Sequence, residues 1–510
     1  MRLVTWLLCT LLASSAWSDD AHHHALTEEE LGSIHFPTSC SKNTATAFNH
    51  AVALLHSFQY EDSRQAFEAV AAQDPACAMA YWGIAMSHYH GLWHSGDTAA
   101  GRQAWQHAHD LAEAASARRA TPREIGYIEA LGEIYRADGS KSDDYARSQA
   151  FEQKMGELAA TYPDDSEATI FHALLLDVTA PKTDKTFAHQ RQCGEILESI
   201  FQKQPHHPGV AHYLIHCYDN PALAEQGLTA ARAYAKIAPA SAHANHMPSH
   251  IFTRVGSWEE SIFSNRKSAD LAAAAEATSK NGEARDQRLH ALDYLEYAYL
   301  QSGQIQKAKA TLDAMNALAP MTGLTLTGDY ALAAIPARYA MERSQWKEAS
   351  SLSPFTEGVP WAQSLSWLAI GVGSARSSQL DRAAQAEHQL ATLRDAAKPD
   401  SPYWSSQIEV QRQEVAAWIT DASGNHDEAA AQMRSAADLE ESMDKDAVTP
   451  GAILPAREML AEMLLLERHP REALAEYEAV LKLAPKRFNA LHGAARAAEA
   501  SKKATPVAAK

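Results

Sequence analysis

Apolar and polar positions recur along most of the chain with the period of an α-helix. In the segments that end at Pro75, Pro320 and Pro485, apolar side chains return every three or four residues, and a turn separates two such runs. Pro205 and Pro239 lie 34 residues apart. No stretch keeps the strict alternation that a half-buried strand needs. The pattern predicts an all-α protein built from pairs of amphipathic helices.

These helix pairs share a sequence pattern: a small or apolar residue, an aromatic, a Gly, an Ala, a large apolar residue and a terminal Pro. The unit that ends at Pro320 carries Leu295, Tyr299 and Gly303 at the expected steps. The pattern resembles the tetratricopeptide-repeat superfamily from about residue 44 to residue 498. The resemblance implies a right-handed α-solenoid of helix-turn-helix repeats, in which stacked pairs bury a continuous core and curve around a concave face.

The N-terminus has the pattern of an export signal. Arg2 is followed by an apolar stretch and by small residues up to Ser18, after which we expect cleavage. The mature protein is therefore expected to be exported, either periplasmic or secreted. The predicted divisions are the signal peptide (1–18), an N-terminal extension (19–43), N-terminal and central repeats (44–349), C-terminal repeats (350–500) and a disordered tail (501–510).

Charge excludes some classes of partner. The formal net charge is -18, and no block of Lys and Arg stands outside a thin tail, so nucleic acid and anionic membrane surfaces are not expected partners. Beyond the signal, no segment is long and apolar enough to span a bilayer. The remaining candidate partners are a protein, a peptide or a small molecule in the concave groove.

Cysteine usage agrees with export. Without Cys9, which lies in the signal, four cysteines remain, and an even number in an oxidising compartment favours two disulfides. Three pairings are possible. Proximity in the sequence suggests Cys40 with Cys77 and Cys193 with Cys217, and buried free thiols are the alternative.

Histidines concentrate in two consecutive repeats. The run HHPGVAHYLIHCYDN covers residues 206–220, and HANHMPSHIF covers residues 243–252. If the terminal Pro is step 32 of each unit, the histidines and nearby acids fall at steps 2, 5, 9 and 12, which line the concave groove in the superfamily that the chain resembles. The predicted groove residues are His212, His216, Asp219, His243, His246, His250, His290, Asp293 and Tyr297.

One residue complicates this arrangement. Pro248 falls inside the expected first helix of its repeat, where a proline removes a backbone hydrogen bond. Either the helix begins at Pro248 and leaves His243 and His246 on a loop, or the helix kinks there. Both versions still direct imidazoles toward the groove.

Imidazole and carboxylate groups are ligands of transition metals. His212 and His216, four residues apart on one helix, can chelate one ion, and the segment between them lacks the Glu of a zincin protease. We therefore predict a metal site of His212, His216, His246 and His250, with zinc, copper or iron as the ion. Asp219 is a further candidate ligand. Asp293 is a candidate for orienting a ligand histidine by a hydrogen bond, without binding the metal itself.

Three functions are compatible with these residues. The first is an exported solenoid whose His/Asp-lined groove binds a transition metal or a metal-assisted ligand. The second is a metal-free scaffold that holds a protein or peptide, with histidines as hydrogen-bonding groups. The third is a metal-dependent hydrolase or oxygenase, and the sequence leaves open whether there is catalysis.

Overall fold

The computed structural model describes residues 27–93, 96–114, 120–136, 144–278, 282–320, 324–399 and 401–504. The predicted signal peptide and residues 505–510 of the predicted tail lie outside this part, whereas residues 501–504 end the last helix. The described residues form α-helices and two short 3-10 turns, and contain no β-strand.

The helices, in chain order, are α1 (Glu28–Leu31), α2 (Ala45–His56), α3 (Tyr60–Gln73), α4 (Ala78–Ser87), α5 (Thr98–Glu113), α6 (Pro122–Tyr135), α7 (Asp144–Thr161), α8 (Ser166–Val178), α9 (Ala188–Phe201), α10 (Pro208–Tyr218), α11 (Ala224–Ile237), α12 (Ala242–His246), α13 (Pro248–Arg254), α14 (Trp258–Thr278), α15 (Glu283–Gln301), α16 (Ile305–Asn316), α17 (Leu326–Glu342), α18 (Trp346–Ser350), α19 (Pro360–Arg376), α20 (Leu380–Ala397), α21 (Pro402–Ala422), α22 (His426–Glu441), α23 (Ala456–Leu466), α24 (Pro470–Leu483) and α25 (Phe488–Ala504).

Helices that follow one another in the chain pack against each other along the whole array. The pairs α2 with α3, α14 with α15, α19 with α20 and α24 with α25 are examples. One such pair cannot cover its own apolar face, and stacking gives four clusters of buried apolar side chains along the array. The predicted all-α architecture of stacked helix pairs is confirmed for the described residues. Among the described helices, none is long and apolar enough to cross a lipid bilayer.

The histidine-bearing helices have clear start signals. Pro208 and Pro248 stand at the first positions of α10 and α13, where a missing N–H costs no hydrogen bond. His207 and Ser241 accept the first free N–H groups of α10 and α12 with their side chains. Every residue of α10 is buried. A helix that is buried all round lies at the centre of its domain, which explains the absence of charged side chains from this one.

Both ends of the array return to these central helices. On the N-terminal side, α1 packs against α11 and α2 packs against α10. On the C-terminal side, α25 packs against α15, and the Trp258 indole N–H donates to the carbonyl of Lys486. The loop that joins α22 to α23 also reaches the centre, because the Tyr294 hydroxyl lies 3.1 Å from the carbonyl of Ala447 and 3.0 Å from that of Thr449. The concave side is therefore closed by distant parts of the chain.

The described residues contain two disulfides. Cys40 is bonded to Cys77, and Cys193 is bonded to Cys217. These are the pairings that proximity in the sequence suggested. The second bond ties α9 to α10, the helix that carries His212 and His216.

Replacing Gly256 with Ala tests the contact between the centre and the C-terminal repeats. Gly256 has a φ of +67°, and an added Cβ would lie 2.3 Å from the carbonyl oxygen of Pro485. Gly424 has a φ of +87° with open space around it, so Gly424→Ala is a matched control that shares only the backbone strain of about 1 kcal/mol. Urea denaturation should give Gly256→Ala an additional loss of about 1–3 kcal/mol from overpacking. Equal losses in the two variants would contradict the contact.

Candidate metal centre

Six histidines from four helices meet at the centre of the array. His212 and His216 come from α10, His243 and His246 from α12, His250 from α13 and His290 from α15. They form two groups of three, and within each group one ring nitrogen per residue lies within 4.8 Å of the others. We call His212, His216 and His243 the first triad, and His246, His250 and His290 the second triad.

The first triad converges on the Nε2 atom of His212. That atom lies 3.1 Å from Nε2 of His216 and 3.0 Å from Nε2 of His243. The spacing of four residues along α10 brings His212 and His216 onto one face of the helix, and the next repeat supplies His243. The predicted pairing of His212 with His216 is thus present in the structure.

The second triad has the same form. Nε2 of His246 lies 3.0 Å from Nε2 of His250, and the ring of His290 lies 4.3 Å from that of His246, measured between centroids. His290 is 5% exposed, and neither of its ring nitrogens has a hydrogen-bond partner among the described residues. A buried, unpartnered imidazole is unusual, since buried polar groups are normally satisfied.

Three of the rings form a hydrogen bond through Nδ1, the nitrogen opposite the one that faces the triad, and these bonds determine the tautomers. Nδ1 of His212 lies 2.6 Å from the carbonyl oxygen of His56, and Nδ1 of His250 lies 2.9 Å from a carboxylate oxygen of Asp219. Both partners only accept, so each Nδ1 carries the proton. In a neutral ring, Nε2 then has no proton and carries a lone pair. Both lone pairs point into the triads.

His246 is also protonated at Nδ1. Its Nδ1 lies 2.7 Å from Oδ1 of Asn265, and the amide nitrogen of Asn265 donates to the carbonyl of Ser261 at 2.9 Å. That second bond fixes which way the amide faces, so Asn265 accepts from His246. Nε2 of His246 is therefore also a lone pair, and it faces the lone pair of His250 at 3.0 Å.

Burial keeps these rings neutral. All six histidines are buried, and the loss of solvation lowers the pKa of each below its ordinary value. Neighbouring histidines lower the pKa values further, because a second positive charge in the cluster is repelled. A proton shared as an imidazolium therefore does not account for the close approach of the nitrogens.

The two triads lie side by side. The rings of His216 and His250 are 6.1 Å apart, and those of His243 and His246 are 6.2 Å apart. Phe58 covers the first triad, with its ring 4.4 Å from the ring of His212. Phe58 has a φ of 52°, a left-handed conformation that is uncommon for a bulky residue and occurs where function or packing demands it.

Asp219 lies behind the second triad in a buried network of charges. One of its oxygens lies 2.9 Å from His250 and 2.8 Å from the ammonium of Lys445, and the other accepts from Arg254 at 2.8 Å. The loss of solvation on burial opposes its ionisation, but the two cations and His250 outweigh it and hold the pKa of Asp219 well below its ordinary value. Asp219 therefore orients His250 and is not itself a member of either triad.

Two residues predicted in the groove lie elsewhere. Asp293 forms a buried ion pair with Arg338, which also contacts Glu296 at 3.3 Å. The hydroxyl of Tyr297 accepts a hydrogen bond from Arg487 at 3.3 Å. Asp293 is thus paired with α17, and Tyr297 is paired with the segment that directly precedes α25.

The sequence reasoning missed Tyr294 and Lys445. The ring of Tyr294 lies 4.8 Å from those of both His246 and His250. Tyr294 follows His290 by four residues, so helical spacing could have found it. Lys445 comes from a loop 226 residues away from Asp219, and no local pattern points to it.

The site also differs from an open groove. His212 and His250 are 0% exposed, since α2, α15 and the loop between α22 and α23 cover the concave side. At Pro248 the helix breaks in two: Pro248 begins α13, and His243 and His246 lie on the short helix α12. Of the two alternatives, the one that left these two histidines on a loop was wrong, because Ser241 caps a separate short helix there, and the helical path is interrupted at Met247 as the other alternative expected.

A cavity of about 380 Å³ reaches the histidines from the N-terminal side. Its wall includes His243, His246 and His290, and therefore touches both triads. Phe58 and Tyr60 provide aromatic surface. Burial raises the pKa of Glu283 to about 8 and that of Asp286 to about 6, so this wall carries less negative charge than its acids suggest.

Two other groups have metal-binding composition but a different environment. In the first, Glu167 lies 2.9 Å from Nε2 of His56 and 3.0 Å from Nε2 of His207. Nδ1 of His207 accepts the N–H of Val210, so Nε2 of His207 carries a proton and donates to the carboxylate. The second group, Asp421, His426 and Glu467, lies at the surface. Neither carries the opposed lone pairs of the central triads.

No protein-family model and no curated protein matches the chain. Among solved structures, yeast Tom70 is similar at 10% identity, with 90% of this chain and 88% of that chain covered and a TM-score of 0.33. The Cut9–Hcn1 assembly of the APC/C is similar at 11% identity, with 90% of each chain covered and a TM-score of 0.32. No partner or activity is carried over from such values.

Replacing Asp219 with Asn tests the network behind the second triad. The change removes the charge that Arg254 and Lys445 share in a buried setting, and losing one member of such a group costs about 3–5 kcal/mol of unfolding free energy. Asp421→Asn, which alters the surface pair with His426, is the control and should change stability little. Chemical denaturation of both variants measures this, and a near-neutral Asp219→Asn would contradict the role of the network.

Proposed function

We propose that the protein binds two transition-metal ions, one in each histidine triad, and uses the adjacent cavity to bring a ligand to them. The observation that carries this proposal is the approach of His246 Nε2 to His250 Nε2 at 3.0 Å, both as lone pairs. Two lone pairs in a buried site repel each other unless a cation lies between them. A metal ion accepts both.

The distances suit three-coordinate or four-coordinate binding. Metal–nitrogen bonds of about 2.0 Å in a tetrahedral site separate the ligand nitrogens by about 3.3 Å. The Nε2 atoms of the first triad lie 3.0 and 3.1 Å from that of His212, so a small outward movement of the rings admits an ion. Three protein ligands leave a position for water or another ligand, as in catalytic sites.

Copper is the ion that this ligand set favours. All six ligands are imidazoles, which suit copper, zinc, iron and nickel, and copper is bound most strongly by nitrogen ligands in the series of divalent metals. Neither triad contains a thiolate or a carboxylate.

The residues around the triads have separate tasks in this proposal. His56, Asp219 and Asn265 hold the ligand rings by their Nδ1 atoms, as outer partners do in metal sites. Phe58 excludes water from the first triad. His243, His246 and His290 face the 380 Å³ cavity, so a ligand approaches the centre from there. This cavity favours metal-assisted ligand binding over a purely structural metal.

Metal content of single variants tests the two-ion arrangement. His290→Ala removes one ligand from the second triad and His243→Ala removes one from the first, so each variant should keep one of the two ions. His426→Ala, an exposed histidine of the surface group, is the control and should keep both. Elemental analysis of protein purified without an affinity tag, after copper is supplied, gives the counts, and thermal melting verifies that each variant is folded.

Two results would refute the proposal. One is wild-type protein that binds no ion after copper, zinc and iron have each been supplied. The other is an unchanged metal count in both His243→Ala and His290→Ala, which would put the ions elsewhere.

Export to an oxidising compartment is the second part of the proposal. The two disulfides, Cys40–Cys77 and Cys193–Cys217, support it, since such bonds persist outside reducing compartments. Cell fractionation followed by N-terminal sequencing should find a mature chain that begins at Asp19 in the exported fraction. A mature chain that retains residues 1–18 in the cytosol would contradict this part and leave the metal proposal intact.

A further inference from the structure

A second and larger cavity lies among the C-terminal helices. It measures about 540 Å³ and is bordered by α17, α19, α21 and the loop between α22 and α23. Its wall includes the aromatic residues Tyr330, Tyr403 and Trp404 and the polar residues Gln411, Glu414 and Glu440. The basic residues of the wall are Lys185, Arg254, Lys445 and Arg457, and the last three form ion pairs with Asp219 or Glu441. The metal triads do not line it.

Glu414 is the most unusual residue of this wall. It is 2% exposed, it lines the cavity, and its carboxyl group lies near that of Glu440. Burial, and then the neighbouring Glu440, raises the pKa of Glu414 well above its ordinary value. Two neighbouring buried carboxyl groups are costly to ionise without a cation, and a pocket lined by such a pair is a candidate binding site.

Gln411 and Glu440 add further acceptors. Oε1 of Gln411 is buried and has no hydrogen-bond partner among the described residues. Glu440 accepts the N–H of Ala456 at 2.9 Å with one oxygen and leaves the other available. A ligand group with several hydrogen-bond donors would satisfy these three side chains. An ammonium group has three donors and a positive charge.

The register of α21 gives the cavity its length. Trp404 and Gln407 precede Gln411 and Glu414 on one face of the helix, at spacings of three and four residues. Ten residues separate Trp404 from Glu414, which is about 15 Å along the helix axis. Trp404 is held in place by stacking on Trp361, with centroids 5.6 Å apart. The aromatic residues and the hydrogen-bond acceptors therefore lie toward opposite ends of one elongated cavity.

We propose that this cavity binds a small organic amine, with its ammonium group at Glu414, Gln411 and Glu440 and its apolar body toward Trp404 and Tyr403. A bare metal ion fits less well, because 540 Å³ is the size of small-molecule pockets and one Glu440 oxygen already accepts from the backbone. The aromatic residues at the far end suit an apolar or aryl group.

Isothermal titration calorimetry of the full chain with phenylbutylamine tests this inference. Phenylbutanol, of the same shape and without charge, is the matched ligand, and calcium chloride tests for a metal site. The variant Glu414→Gln keeps the shape of the side chain, and Glu478→Gln makes the same change at an exposed position. Thermal melting of each variant verifies folding, and Glu440→Gln serves as a second variant of the pocket.

The amine should bind, and Glu414→Gln should weaken it by about tenfold or more, since a hydrogen bond to a charged group is lost. Glu440→Gln should also weaken it, whereas Glu478→Gln should not. Absence of amine binding, equal binding of phenylbutanol, wild-type affinity in Glu414→Gln, or displacement of the amine by calcium would each overturn the inference. None of these results depends on the metal triads, so the two proposals fail separately.

Discussion

The geometry of the centre depends on which nitrogen of each histidine carries the proton. The carbonyl of His56, the amide of Asn265 and the carboxylate of Asp219 each accept from an Nδ1 atom. Those bonds leave the Nε2 lone pair of His212 directed into the first triad, and they leave the Nε2 lone pairs of His246 and His250 directed at each other. All of these rings are buried. Such an arrangement is stable when cations separate the lone pairs. The rest of the fold maintains it.

Distant parts of the chain hold the central histidines in place. Phe58 follows α2, Tyr294 lies on α15, and Lys445 comes from the loop before α23, yet all three lie at the central histidines or at Asp219. A solenoid normally makes contacts only between neighbouring repeats. Here the ends fold back on the middle, so the six histidines lie in an enclosed cluster and not in an open groove.

The repeat pattern predicted the helices and most of the cluster. Steps 2, 5 and 9 placed His212, His216, His243, His246 and His250 on the inner face, because helical spacing and repeat register are local properties. His290 was also found. The register failed at Asp293, whose partner Arg338 lies in a later repeat. The division into two triads, and the closure of the groove, depend on long-range contacts that no periodicity encodes.

Anomalous X-ray diffraction from crystals of the copper-loaded protein, recorded at the copper edge, would locate the ions. We expect two peaks, each about 2 Å from the Nε2 atoms of His212, His216 and His243 or from ring nitrogens of His246, His250 and His290. Density for fully loaded protein that lies only at the surface group around His426, with none between the triads, would contradict this expectation.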